Sequence, residues 1–421
     1  MIMIEDVSKF NFETVKIDPF WNLGSERELK AHRIHSYPAK FPAFIATKAF
    51  EFARSQNQNL DKVADIFCGC GTTAFEAARS GIDFWGCDIN PVATMIAKAK
   101  SQKYQTYRLN KYKNEILKQA KSIPFNKVEM INNERLRYWH TKKTLFELSR
   151  LKQAIHFCVP ENSNYRLFFI CAFSNILKAS SLWLTKSIKP QLDKTKKTKN
   201  ILFLYNEQCD FMIQANDESG TLSNSKIDIQ TGNFLNENVS FPKVDLVVTS
   251  PPYVTSYEYA DLHQLSSMWL DFATDYRILR NGSIGSLQHD YNFNSEWKNL
   301  NESGTKIVSK LIYQNKRKAK SVAKYFLDMQ KVALKSYEIL NKKGIAFFVI
   351  GNTEYKKVRI DNALHLAQSL NQAGFKKILT SKRKISKKIL TPYRDKGGRF
   401  TTDSAGRRVY SEEFILIGIK G

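Results

Sequence analysis

The stretch Val63-Ala64-Asp65-Ile66-Phe67-Cys68-Gly69-Cys70-Gly71-Thr72-Thr73 decides the reading of the fold. Its first five residues are apolar around one acid, the pattern of a short strand buried on both faces. A glycine loop follows, and the spacing predicts a helix from about Thr73 to Ser80. That helix stops at Gly81, a residue type favoured just past a helix end. A second strand, Ile82 to Cys87, ends at Asp88. Asn90 and Pro91 then make an N-cap and first-turn pair for a helix over Val92 to Lys100. In such a βαβ unit Gly69 and Gly71 let the backbone approach a nucleoside-bearing ligand, and Asp88 accepts from ribose hydroxyls. A dinucleotide-binding fold is the obvious rival, but the loop is not GxGxxG.

Working outward, Val244-Asp245-Leu246-Val247-Val248-Thr249-Ser250-Pro251-Pro252-Tyr253 reads as another doubly buried strand that stops abruptly. Two prolines cannot continue a central ladder, because they lack the N–H donor and fix φ. A hydroxyl, a proline carbonyl and an aromatic ring are presented together at the carboxyl end of a strand, where ligands bind in open α/β sheets. Taken alone, this is a strand-ending turn with an ordinary buried tyrosine. The chemistry it suits is transfer to an exocyclic amine of a nucleobase, whose lone pair is delocalised into the ring. Ser250 Oγ and the Pro251 carbonyl would accept from that amine and expose its lone pair. Tyr253 would stack on a base taken out of its helix, as chemistry on a duplex base requires.

Composition narrows the partner. The 421 residues carry 65 Lys and Arg against 40 Asp and Glu, a formal charge of +25 with a pI near 9.6. That balance points to a polyanion. Nucleic acid fits better than membrane, since no apolar run approaches the roughly 20 residues that span a bilayer. Residues 1–12 carry acids and no signal-peptide core. The six cysteines lack any CxxC pair, which indicates reduced thiols in the cytoplasm and no metal site. Cys68 and Cys70 read as small residues of the glycine loop.

The glycine loop resembles the DPFCGSGTT-type loop of S-adenosylmethionine-dependent amino-methyltransferases acting on DNA. It departs from that pattern at Ile66 and Cys70, and keeps the acid and both glycines. The Ser250–Tyr253 motif follows downstream, and His35-Ser36-Tyr37-Pro38-Ala39-Lys40-Phe41-Pro42 looks like the N-terminal cofactor motif of one branch of that family. By itself the last stretch is a solvated loop before an amphipathic helix. The three motifs in family order imply a doubly wound Rossmann-like methyltransferase sheet ending in an antiparallel strand pair. They imply a cofactor site built from Lys40, Phe41, Asp65, Phe67, Cys68, Gly69, Gly71, Thr72, Thr73, Asp88, Ile89, Asn233, Phe234 and Ser250, with Ser250, Pro251, Pro252 and Tyr253 catalytic. A serine opening the Pro-Pro-Tyr motif implies N4 of cytosine on double-stranded DNA. The implied context is a restriction–modification system with a possible cognate endonuclease. N6 of adenine, an RNA or protein amide acceptor, and a non-catalytic nucleic-acid-binding module stay open.

The rest of the chain divides around that core. Residues 1–30 show no periodicity and read as an extension. Residues 31–100 form the cofactor-binding half. Residues 101–225 read as a helical insertion, with no glycine between Gly86 and Gly220, and 226–421 as the catalytic half. Within the insertion, the run from Lys186 to Lys199, including Lys194, Lys196, Lys197 and Lys199, is expected to contact phosphates. Residues 275–320 are polar and basic, and read as an irregular loop over the substrate. A last loop with Arg394, Lys396, Arg399, Arg407 and Arg408 lies between two final strands as a second expected DNA contact. Tyr257 and Tyr259 line either the base pocket or the core.

Overall fold

Leu340–Gly351 is a twelve-residue strand whose alternate residues enter two different cores. Ile345, Phe347 and Val349 pack with Val63, Leu246 and Val248 on one face, while Ala346, Phe348 and Ile350 pack with Ala64 and Val247 on the other. This is the signature of a sheet covered on both sides. The computed structural model describes the chain except residues 26, 39, 57–58, 221, 237–240, 255–257, 285–290, 386–392, 395–399, 402, 404–406 and 409–412, and the side chains of 393, 394, 400, 407 and 408.

The long strands of the main sheet are β1 Lys62–Asp65, β2 Asp83–Asp88, β3 Ile227–Thr231, β4 Val244–Thr249, β5 Leu340–Gly351, β6 Lys377–Arg383 and β7 Glu413–Ile419. Their order across the sheet is β6-β7-β5-β4-β1-β2-β3, with Ile2–Met3 added outside β6. The first five are mutually parallel, and β7 runs antiparallel to both β5 and β6. The expected doubly wound sheet with an antiparallel terminal pair is therefore present. The winding reverses between β1 and β4, so a crevice opens at their carboxyl ends, where open α/β sheets bind ligands.

Helices α1 Ala43–Ser55, α2 Thr72–Arg79 and α3 Pro91–Lys100 accompany the first strands. Asn90 caps α3 through Val92 N at 3.0 Å, with Pro91 in its first turn. Between α3 and β3 lie α4 Thr106–Ser122, α5 Glu134–Trp139, α6 Lys142–Cys158, α7 Asn164–Ser180 and α8 Ile201–Glu218. These five helices share one apolar cluster with α3, including Phe168, Phe169, Phe173 and Trp183. The lysine-rich segment breaks the periodicity just before α8, which is why the sequence did not announce that helix.

Three other expectations change. Residues 1–30, read from the sequence as an extension without periodicity, pack against the sheet. Ile2 and Met3 pair with Thr380 and Leu379, the Phe12 ring stands edge-on to Phe414 at 5.4 Å, and Trp21 lies 5.2 Å from Phe347. Their short 3-10 turns leave no period to read. Within residues 302–320 all but Asn315 are helical, in α9 Glu302–Gln314 and the start of α10 Lys316–Ile339. The buried stripe of α9 is narrow, centred on Ile307, Val308 and Leu311, and its polar surface disguised it. Finally, β5 begins at Leu340 directly after α10, four residues before the glycine expected to end the helix.

Candidate active site

The carboxyl ends of four strands meet at a cavity of about 160 Å³. The loop after β1 contributes Ile66, Phe67 and Gly69, and the end of β2 contributes Asp88, Ile89 and Asn90. Gly232, Asn233 and Phe234 follow β3, and Ser250, Pro252, Tyr253 and Val254 follow β4. The glycine-loop side and the Pro-Pro-Tyr side thus share one cleft.

Asp88 is tied in place by backbone. Its Oδ2 accepts from Gly69 N and its Oδ1 from Asn90 N, each at 2.9 Å. Burial pushes its carboxyl up to about 6, against the pull of those two N–H groups. Each oxygen retains a lone pair, the acceptor a ribose diol needs. Ile66, Phe67, Ile89 and Phe234 supply apolar wall for a flat ring. The residues present therefore fit an adenosyl group. Asn233 lines the same wall, but its side chain already accepts from Leu235 N at 2.9 Å and donates to Gly282 O at 3.1 Å. It holds the covering segment Leu279–Ile284 over the cleft.

At the other end, Ser250 Oγ donates to the Val349 carbonyl of β5 at 3.1 Å. With its hydrogen turned away, the hydroxyl oxygen presents lone pairs to a donor. Tyr253 Oη donates to Glu413 Oε1 at 2.9 Å, and Arg383 holds the other oxygen, its Nε at 2.5 Å. Arg383 and Glu413 face each other in register across β6 and β7. The ring of Tyr253 is thereby fixed from behind.

Several expected residues lie outside the cavity lining. Asp65 is a brace, accepting from Thr249 Oγ1 at 2.7 Å, Thr73 Oγ1 at 2.9 Å and Phe67 N at 3.2 Å. Burial raises its carboxyl to about 6. Through it the glycine loop and the end of β4 are held in fixed relation. Gly71, at φ +74°, is a packing glycine rather than a point of ligand approach, since a Cβ there would fall 2.5 Å from Ala97 Cβ. Gly69, at φ +48°, does border the cleft. Cys68, Thr72 and Pro251 are buried away from it, as is Thr73 through its bond to Asp65. Lys40 donates to Glu28 and to the His32 carbonyl, and Phe41 packs against the core beneath the sheet.

The residue missed in the first motif is Tyr37. Instead of a solvated loop, it forms a wall of the cleft, stacked on His263 at 5.0 Å and on Tyr259 at 6.4 Å. Burial and the Asp88 charge both hold its phenol in the neutral form. His35 stands behind it, bonded to Ser174 Oγ at 2.9 Å. Leu279, Gly282, Ser283 and Ile284 also line the cleft, and no periodic signal marked them. Tyr257, Lys396 and Arg399 lie outside the described residues, as does the Arg394 side chain.

Of the lysines expected to meet phosphate, Lys194, Lys197 and Lys199 are exposed, but Lys196 is not available. Its ammonium donates to the Lys178 and Trp183 carbonyls at 3.0 and 2.8 Å, satisfying acceptors in the last turn of α7 and just past it. Among the described residues no cluster of three or more metal-ligating side chains occurs, and no helix is long and apolar enough to cross a membrane.

No family model matches the chain. It is 24% identical over 386 residues to the Type II methyltransferase M.MvaI of Kocuria varians, covering 85% of this chain and 84% of that protein. A shorter match, 34% over 103 residues, joins 24% of the chain to 18% of the Type II methyltransferase M.MjaII of Methanocaldococcus jannaschii. An rRNA methyltransferase structure from Streptomyces viridochromogenes covers 92% of this chain and 89% of its own at 9% identity, but its TM-score of 0.30 carries no weight. The chain therefore pairs a doubly wound sheet ending in an antiparallel strand pair with similarity, over most of its length, to a Type II methyltransferase.

Proposed function

We propose that the chain is an S-adenosylmethionine-dependent DNA methyltransferase that modifies the exocyclic N4 amine of a flipped cytosine, within a restriction–modification system. The observation that carries this reading is that Ser250 and Tyr253 open into the same cavity as Gly69 and Asp88. S-adenosylmethionine, when bound, supplies an electrophilic methyl group. Asp88 would take the ribose hydroxyls, with the walls of Ile66, Phe67, Ile89 and Phe234 against the adenine. Tyr253, pinned by Glu413, would stack on the extruded base. Ser250 Oγ, its own hydrogen occupied by Val349, would accept from the amine and orient its lone pair. Orientation supplies most of such a rate enhancement. No cysteine takes part, and burial pushes the Cys68 and Cys87 thiols above their ordinary range, away from the nucleophilic thiolate.

Methyl-transfer assays with labelled cofactor on duplex DNA, RNA and protein test the substrate class. Transfer to duplex DNA is expected, with Ser250→Ala lowering turnover about tenfold to a hundredfold, the range of a hydrogen bond to a charge-developing group. Transfer to RNA or protein alone would overturn the reading.

A further inference from the structure

A second group of basic side chains gathers where the chain leaves β5. After β5, Thr353–Tyr355 and Val358–Ile360 pair as a hairpin in the register Tyr355 to Val358, leaving Lys356 and Lys357 as its two-residue turn. Both have left-handed φ, 44° and 66°. Two-residue hairpin turns of this hand favour Asn-Gly, because side chains with a Cβ are strained there. Two exposed lysines hold the turn instead.

The neighbouring element repeats the choice. The first turn of α10 carries Lys316, Arg317 and Lys318 with no acid, the wrong sign for a helix amino end. Asn315 at its cap donates to Tyr355 Oη at 3.1 Å, joining the two elements. The ammoniums of Lys318 and Lys356 lie 5.7 and 5.9 Å from the Tyr355 ring centre. Burial draws the Lys318 pKa down, while Lys316, Arg317, Lys320, Lys356 and Lys357 are exposed. Tyr313, at the end of α9, is 91% exposed beside them. Arg359, on the far strand, is bonded to Glu13 and Asp361 and is not part of the surface.

Topology sets where this surface faces. The bond from Asn315 to Tyr355, four residues past Gly351, sets the first turn of α10 beside the chain that leaves the carboxyl end of β5. That end carries Val349, whose carbonyl takes the Ser250 hydroxyl. Like charges gathered at a local cost to stability, interleaved with tyrosine, on the rim of the cleft, match a phosphate backbone. We propose that Lys316, Arg317, Lys320, Lys356 and Lys357 form a contact surface for the duplex flanking the target base. The inference rests on the DNA reading above and adds the place where the duplex lies.

The test separates charge from structure. In Lys356→Asn/Lys357→Gly the turn receives the residues its backbone prefers and loses both charges. Its melting temperature should rise, while the slope of log affinity for duplex DNA against log salt becomes shallower by about 0.9 for each lost contact. Lys316→Gln/Arg317→Gln should flatten the slope in the same way, and Lys356→Arg/Lys357→Arg should restore it. Cofactor affinity by calorimetry should stay unchanged in all three. Wild-type protein that binds duplex DNA with a salt slope no variant alters would overturn this surface and leave the DNA reading standing. Wild-type protein with no salt-dependent affinity for duplex DNA would overturn both.

Discussion

The Tyr253 hydroxyl donates to Glu413 at 2.9 Å, joining the strand end after β4 to the first residue of β7, 160 residues further along the chain. Arg383, 4% exposed, closes the arrangement from β6. The ring of the Pro-Pro-Tyr motif is held by the same antiparallel strand pair, β6 and β7, that brackets residues 384–412.

From this follows a graded series at Tyr253. Tyr253→Ala removes the stacking ring, worth about 1–3 kcal/mol. Tyr253→Phe keeps the ring and loses its hydrogen bond to the Glu413 carboxylate, worth about 1.5–3 kcal/mol and drawn from the fold rather than from the stack. Steady-state kinetics on DNA should rank wild type above Phe and Phe well above Ala, with cofactor affinity held. Equal damage from both would mean that the hydroxyl, not the stack, is what matters. Glu413→Ala should cost fold stability, on the order of 3–5 kcal/mol, because the Arg383 guanidinium is left buried without its partner. Glu413→Gln, which keeps an acceptor, should unfold at a higher denaturant concentration than Glu413→Ala.

Asp88 makes a pH prediction. Its folded carboxyl, raised to about 6 by burial, takes up a proton more readily than the unfolded chain does, near 3.8. Its contribution to stability is therefore fully present below about pH 4 and lost as pH rises through about 6. The difference is about 3 kcal/mol. Asp88→Asn removes this share, so its stability relative to wild type should improve across that window and then level off. Cofactor affinity should run the other way in the wild type, falling as pH drops below about 6 and the acceptor is protonated. In Asp88→Asn it should be weak and flat. Calorimetry at several pH values reads both, and a flat wild-type profile would remove Asp88 from the site.

The lysine run should split in two. Lys196→Gln loses its bonds to the Lys178 and Trp183 carbonyls and should destabilise the fold by about 1–2 kcal/mol. Lys194→Gln, Lys197→Gln and Lys199→Gln together should leave stability within about 0.5 kcal/mol. Their expected effect is weaker DNA binding with a flatter salt dependence. Thermal melts and salt titrations of the two sets decide this, and unchanged binding in the triple variant would make the run a solvated loop.

The strands and the cleft were legible because their signals are local. Val63–Asp65, Val244–Thr249 and Asp88 announce buried strands and their ends, and prolines or glycines mark where the chain leaves the sheet. Which glycine borders the cleft was not legible, since Gly69 and Gly71 differ only in having Tyr37 or Ala97 opposite. Tyr37 stacks on His263 from 226 positions away, and Arg383 meets Glu413 across a hairpin, so neither contact leaves a period. Lys196 looked like its neighbours until its ammonium was seen to turn inward.

The atom that receives the methyl group is the most direct test of the whole account. Purified protein is incubated with unmodified duplex DNA and S-adenosylmethionine, the DNA is digested to nucleosides, and the products are identified by mass spectrometry. The account predicts N4-methylcytosine, formed about tenfold to a hundredfold more slowly by Ser250→Ala. N6-methyladenine as the sole product would contradict the base assignment, and no methylated deoxynucleoside from active, cofactor-binding protein would contradict the account itself.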